Sequence, residues 1–399
     1  MKSEGPAVVA FSQVEWGGLY NVVEPRLSGL AQRGWRVLHS NGALSVWDRH
    51  SPWWRAAPWL PRVERREGVL VERQGRVPPR WQTWEPWDRA VIALHARRLK
   101  RLALRGGSNA TIAYLFHPDF YPYLRPLDPT YVVFQVMDNY AYQPGWTPGS
   151  QANLVALTQR ADRILANNPT QARLLPGDGP AKARILPNAV DFARVQAGAL
   201  APCPPDLARI PAPRIGYIGA LCHNVDFVMI EAVALARPDW NWVLVGPVRG
   251  PEGGEWAENE AAQRRCEGLP NVYVLGFRER HEVPAYLNWM QVNTLSYRLS
   301  AGYSTRAAYP FKVFECLAAG LPVVSAAMPE VMRHRDVIDF AETPAEWIQA
   351  IERALTSGGV GTPDQRRTVA RENSWEKRTE DLHRELLELT QREAELPGR

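Results

Sequence analysis

Short apolar runs punctuate this chain along its length. They fall at 7–11, 35–38, 111–116, 131–137, 161–166 and 184–186, and again at 214–218, 242–245, 271–275, 292–296 and 323–324. Some, such as 7–11, 242–245 and 323–324, are continuously apolar rather than alternating, the pattern of strands covered on both faces. Helical spacing fills several of the intervals, as in Leu19, Val22, Val23, Leu27 and Leu30, closed by Gly34. Strand, polar or glycine loop, helix, strand is the βαβ unit of a doubly wound α/β sheet. Between the two series, residues 195–213 carry Pro202, Pro204, Pro205, Pro211 and Pro213 with few apolar positions, a linker composition. The expectation is two Rossmann-like domains, 1–200 and 201–372, followed by a capped amphipathic helix over 373–399. A chain of 399 residues is long enough for both. The Leu386, Leu387 and Leu389 set predicts that one face of that last helix is covered.

Residues 309–325 read YPFKVFECLAAGLPVVS. Pro310 suits the first helical position, and Val313, Phe314, Leu317 and Ala318 recur at helical spacing. Gly320 ends the helix and 323–324 begins a strand. Lys312 and Glu315, three apart, share one side near the helix start. That end attracts phosphate through its free N–H groups, and Lys312 adds a cation. Glu315 offers two acceptor oxygens, which suit vicinal ribose hydroxyls. The plain alternative is an i,i+3 ion pair on an ordinary core helix.

The pattern P-x-K-x-x-E-x-x-A-x-G-x-P-V-V resembles the donor-binding motif of GT-B glycosyltransferases, in particular the group with an E-x7-E signature. In that family the second Glu binds the ribose of a nucleotide sugar, and Glu315 matches it, whereas the first Glu is replaced by Ala307. The order A-D-x-I-L-A, a polar turn, then L-P-N-A-V-D at 161–191 is similar to the end of the first domain of the same enzymes. The nearest type is a bacterial exopolysaccharide or teichuronic acid glycosyltransferase. The resemblance implies the GT-B architecture: two Rossmann-like domains, an interdomain cleft, and a C-terminal helix crossing back onto the first domain. It also implies a nucleoside diphosphate sugar, of the UDP or GDP kind, as donor. The diphosphate would face Gly219, Lys312 and the helix start at Pro310, with Phe277 and Arg278 bordering the base. Ser304 and Thr305 would add contacts just before the helix. Trp16, Gly17 and Gly18, in the loop after the first strand, would line the acceptor side, although Gly17–Gly18 also reads as a tight turn alone. No cofactor or metal is implied, and no D-x-D motif stands in a convincing loop.

His117 and Asp138 follow the strands at 111–116 and 131–137, where open α/β sheets place ligands. Asp138 is a candidate base for the attacking hydroxyl of a sugar or lipid-linked acceptor. Its plain alternative is a cap on the next loop or helix. Two rival functions stand beside the transferase: a nucleotide-sugar epimerase on the same fold, and a catalytically silent binding scaffold.

Charge is unevenly placed. The chain carries +5 overall, but residues 51–105 hold 13 Arg and Lys against 5 Asp and Glu, a surplus of 13 − 5 = 8. The remainder is therefore at 5 − 8 = −3. Trp53, Trp54, Trp59, Trp81, Trp84 and Trp87 interleave with these arginines. That mixture suits an anionic membrane surface, and no recognition motif points to nucleic acid. Residues 51–87 show no sustained period and predict an excursion with little regular structure. No apolar run approaches the ~18 residues that cross a bilayer. The start of the chain lacks a secretory signal pattern, and the four cysteines lack metal spacing. The expected place is the cytoplasm, with a peripheral contact on the inner face of the membrane.

Overall fold

The structure, a computed structural model, describes residues 5–18, 22–105, 107–108, 110–142, 145–248, 257–299 and 309–391. It divides into two compact units, Met1–Pro187 with Trp375–Arg399, and Asn188–Ser374.

The first unit is built on β1 (Ala7–Phe11), β2 (Val37–Ser40), β3 (Arg62–Arg66), β4 (Val69–Arg73), β5 (Thr111–Leu115), β6 (Tyr131–Val136), β7 (Arg163–Ala166) and β8 (Ala183–Ile185). Their order is β3-β4-β2-β1-β5-β6-β7-β8, parallel throughout except where β3 meets β4. Alternate residues of β1 enter two separate cores: Ala7, Val9 and Phe11 on one face, Val8 and Ala10 on the other. Burial on both faces explains why these strands are apolar without alternation. The helix Trp375–Gln391 covers the second face through Leu382, Leu386 and Leu389, beside Val23, Leu27 and Leu30 of the helix Val23–Gln32. Leu387, expected on the covered face, stays half-exposed.

The stretch 51–87 is more regular than its sequence predicts. It holds a short helix, Pro52–Ala56, and the β3–β4 hairpin. Glu67 and Gly68 turn the hairpin with φ of 47° and 85°, the left-handed pair that a two-residue hairpin loop requires. β3 is a largely exposed edge strand, so it tolerates its arginines, and they hide the strand from a hydrophobicity reading.

The second unit is built on β9 (Arg214–Ile218), β10 (Asn241–Val245), β11 (Val272–Gly276), β12 (Val292–Leu295), β13 (Val323–Ala326) and β14 (Asp339–Ala341), all parallel, in the order β11-β10-β9-β12-β13-β14. That is the doubly wound Rossmann order, with its reversal between β9 and β12. The division at Pro187/Asn188 lies ahead of the expected boundary near 200. The proline-rich stretch is not a free linker. Val195, in the helix Phe192–Gly198, is buried in the second unit's core with Leu207 and Ile210.

Candidate functional site

In an open α/β sheet, ligands settle beyond the carboxyl ends of the strands, at the point where strand order reverses. In the second unit that point lies between β9, which runs into Gly219, and β12, whose continuation leads to the helix Lys312–Ala319. The helix starts later than Pro310. Pro310 and Phe311 form a turn, with the Val313 N–H donating to the Pro310 carbonyl at 3.1 Å. Phe311, at the N-cap, offers no side-chain hydrogen bond to the first turn. Asn188 Nδ2 donates to the Tyr309 carbonyl at 3.3 Å and so steadies the approach to the helix.

Lys312 lies across the end of β9. A Cβ added at Gly219 would fall 1.7 Å from Lys312 Nζ, so only glycine leaves room for the ammonium. Gly246, beyond β10, packs as closely: a Cβ there would lie 1.9 Å from the Gly219 carbonyl oxygen. The Gly246 N–H in turn donates to the Gly276 carbonyl at 2.9 Å. Three strand-end glycines thus abut, and the ammonium sits on the first. Lys312 Nζ donates to Tyr217 Oη at 3.2 Å and lies 4.9 Å and 5.7 Å from the rings of Tyr217 and Tyr297. Sequence reasoning missed both tyrosines. Tyr217 is buried in β9 and reads there as core, and its hydroxyl beside a strand-end glycine was the available signal.

Glu315 follows one turn along, half-buried, and accepts no hydrogen bond from a described residue. Burial pushes its carboxyl above the ordinary value, against the pull of Arg194, Lys312 and Arg280, while Asp191 adds to the push. The Lys312–Glu315 ion pair, the plain alternative for this helix, is absent among the described residues, where Lys312 is directed to Gly219 and Tyr217. A carboxylate surrounded by cations yet without a hydrogen-bond donor is an open acceptor. A cavity of about 330 Å³, walled by Asp226, Tyr297, Leu299, Glu342 and Trp347, adjoins this cage at Tyr297.

Two other predicted donor contacts follow β11. Phe277 stands half-exposed after β11. Arg278 is engaged elsewhere: its Nε donates to Tyr286 Oη at 2.6 Å and its Nη2 pairs with Asp206, to which the Tyr286 hydroxyl donates at 2.8 Å. That closed triad leaves Arg278 holding its own loop. Ser304 and Thr305, with Ala307, lie outside the described residues.

In the first unit the reversal lies between β1 and β5. Trp16 follows β1, its ring centroid 5.5 Å from that of His39. The Gly17 N–H donates to Glu24 at 3.1 Å, and the Gly18 N–H to the Glu15 carbonyl at 3.1 Å, so this loop folds onto the helix that follows. Trp16 reaches a polar cavity of about 210 Å³ that includes Asn41, Trp53, Arg66 and Arg73. His117 and Asp138 are brought to one edge around Tyr140, whose ring lies 5.0 Å from that of His117. His117 Nδ1 accepts the Asp119 N–H at 3.2 Å and caps the turn Pro118–Tyr123, which puts the proton of the neutral ring on Nε2. Nδ1 is therefore occupied and unsuited to act as a base. Asp138 Oδ1 accepts the Asn139 N–H at 2.7 Å, a local turn contact at the end of β6.

Residues 212–357 match the sequence profile of the family described as glycosyl transferases group 1. That segment is 357 − 212 + 1 = 146 of the 399 residues, so over this part the chain is similar to group 1 glycosyl transferases. A protein of Bacillus subtilis (strain 168), named as a candidate teichuronic acid biosynthesis glycosyltransferase (TuaH), is 31% identical over 202 residues, 49% of this chain and 49% of that relative. The match thus spans about half the length of the relative. An α,α-trehalose-phosphate synthase (UDP-forming) from Burkholderia vietnamiensis superposes with a TM-score of 0.69 at 15% identity, over 96% of this chain and 99% of that one. Anabaena Alr3699/HepE, in complex with UDP and glucose, gives 0.66 at 13%, over 96% and 99%. At such identities the likeness establishes the fold, which is GT-B. The matched segment contains Gly219, Lys312 and Glu315, so the ammonium-over-glycine arrangement lies inside it.

Proposed function

We propose that this protein transfers a sugar from a nucleoside diphosphate sugar to a hydroxyl of a sugar or lipid-linked acceptor. The observation that carries the reading is the Lys312 ammonium seated on Gly219 at the Rossmann reversal, with the open carboxylate of Glu315 one turn along the same helix. The diphosphate would rest on Lys312 and the helix start, and the ribose hydroxyls would donate to Glu315. Fixed positive charge where the leaving diphosphate gathers negative charge lowers the barrier to its departure, so the reaction would need no metal. UDP is favoured by the ligands of solved GT-B structures, and an anionic polysaccharide product by the name of the Bacillus relative. Trp16 and Asp138 would face the acceptor, with Asp138 taking its proton. The Arg- and Trp-rich stretch 51–105 would hold the protein against an anionic membrane surface, where Trp53, Trp59, Trp81 and Trp84 stand exposed.

The test is titration calorimetry with UDP, GDP and ADP, followed by diphosphate release from the matching sugar nucleotides with a chelator present. One nucleotide should bind, and Glu315→Ala should weaken it by about 1.5–3 kcal/mol, the worth of hydrogen bonds to a charged group. Unchanged affinity in Glu315→Ala overturns the donor site. Donor interconversion without any acceptor would point to an epimerase, and binding without turnover to a scaffold.

A further inference from the structure

A second cavity in the first unit is unlike the polar one beside Trp16. It measures about 400 Å³ and lies between the helix Glu85–Leu104 and the loops flanking the β3–β4 hairpin. Leu60, Pro61, Val77, Pro78, Val91 and Leu94 make its apolar wall. Leu60, Val77 and Leu94 are 68%, 47% and 56% exposed, a cluster of large aliphatic side chains that the fold leaves open to solvent. Arg98 and Arg101 also line this cavity; Arg98 is already paired with Glu72 and donates to the Pro61 carbonyl at 3.1 Å, so a phosphate contact falls to Arg101. Gln74, at the end of β4, lines this cavity and the polar one alike, and its Nε2 donates to the Gly42 carbonyl at 2.5 Å. The apolar chamber thus shares a lining residue with the polar chamber, which holds Trp16, Trp53, Arg66 and Arg73 together with Glu15 and Glu72.

Resting on the transferase reading, we infer that the acceptor is a lipid-linked sugar whose hydrocarbon chain occupies the apolar cavity. Its phosphate passes Gln74, and its sugar lies in the polar cavity against Trp16. The division of chemistry matches that ligand part for part. An aliphatic chamber takes a chain. Guanidinium groups take a phosphate. Indole faces beside polar side chains take a sugar ring. The arginine surplus of 51–105 complements the charge of such a head. The reading also explains why Leu60, Val77 and Leu94 stand exposed beside a formed cavity, where a protein without an apolar ligand would gain by covering them.

The experiment uses the full chain and two probes, dodecyl phosphate below its micellar concentration and butyl phosphate. Both carry the same head, and only one carries a chain. Dodecyl phosphate should bind at least tenfold more tightly than butyl phosphate. Leu94→Glu, a change at an exposed helix position, should remove that advantage and leave nucleotide binding by the second unit intact. Equal affinity for the two probes, or an unaltered dodecyl phosphate affinity in Leu94→Glu, overturns the inference. So does co-sedimentation with phosphatidylglycerol vesicles that Leu94→Glu leaves unchanged, if dodecyl phosphate does not bind; the patch is then a membrane-docking surface only. Nucleotide titration of the same sample separates the two readings. Nucleotide bound without dodecyl phosphate rejects the chain site, and no nucleotide bound rejects the donor site.

Discussion

Lys312 is one of five lysines in a chain with 42 arginines, and its placement shows why arginine would not serve. The ammonium fits in van der Waals contact with the Gly219 backbone and between two tyrosine rings. A planar guanidinium there would meet the strand end first. Lys312→Met keeps the length and apolar stem while removing the charge. It should weaken the bound nucleoside diphosphate by about tenfold to a hundredfold, the range for a charge-assisted contact, and leave the bare nucleoside within about twofold. Equal losses for the two ligands, measured by calorimetry, would mean that Lys312 shapes the pocket and does not meet the phosphates. Lys312, Glu315 and Gly219 were legible because local order carries them: two sit on one helical turn, and one closes a strand. Tyr217 was not, because a buried tyrosine in a strand signals core until the residue it faces is known. His117 meets the same limit. Its position past β5 was right, but its Nδ1 meets the Asp119 N–H, a backbone contact that residue type does not reveal.

At the scale of elements, the strands of both sheets were legible from their continuous apolar runs, because burial on two faces leaves little room for polar residues. The β3–β4 hairpin was not, because an exposed edge needs no apolar run. The C-terminal helix was legible as amphipathic, yet its closeness to the helix Val23–Gln32 depends on one residue that sequence alone does not mark. A Cβ added at Gly29 would lie 2.3 Å from Thr379 Oγ1 and 2.5 Å from Thr379 Cγ2. The two helices therefore touch through a glycine. Gly29→Ala forces them apart and should cost about 1–3 kcal/mol, the usual penalty for overpacking. Adding Thr379→Ala removes the clashing atoms and should recover part of the loss, a coupling that thermal unfolding of the four proteins measures. Strictly additive effects would place the cost within the first helix and not at the contact.

For the whole molecule, acid stability is set by groups that burial holds away from their ordinary charge state. His39 in the first unit and His334 in the second are both held down to about 4. Burial is the main cause in each; nearby Glu72 opposes it at His39, and Arg333 adds to it at His334. A histidine kept neutral in the fold takes up a proton on unfolding, so the unfolded state binds more protons between the two pKa values. Stability is then full above about pH 6.5 and declines as pH falls toward 4, by on the order of 3 kcal/mol for each histidine. Glu72 acts lower in the range. Burial works to raise its carboxyl, but His95, Ser40 and Arg98 outweigh it and hold the group below its ordinary value. Its contribution is present above the unfolded carboxylate pKa and is lost as pH falls through the depressed one. Acid loss should therefore come in two stages, histidine first and carboxylate second. Scanning calorimetry between pH 7.5 and 4.5 should show the melting temperature falling before Glu72 titrates. His39→Gln should flatten that fall for the first unit, where glutamine can still meet Ser12 Oγ, now 2.9 Å from His39 Nε2. His334→Gln should do so for the second, where the partner is the Tyr309 hydroxyl at 2.6 Å. A melting temperature that stays level down to pH 4.5 would mean that both imidazoles find protons in the folded state, and that neither core is as closed to water as its packing implies.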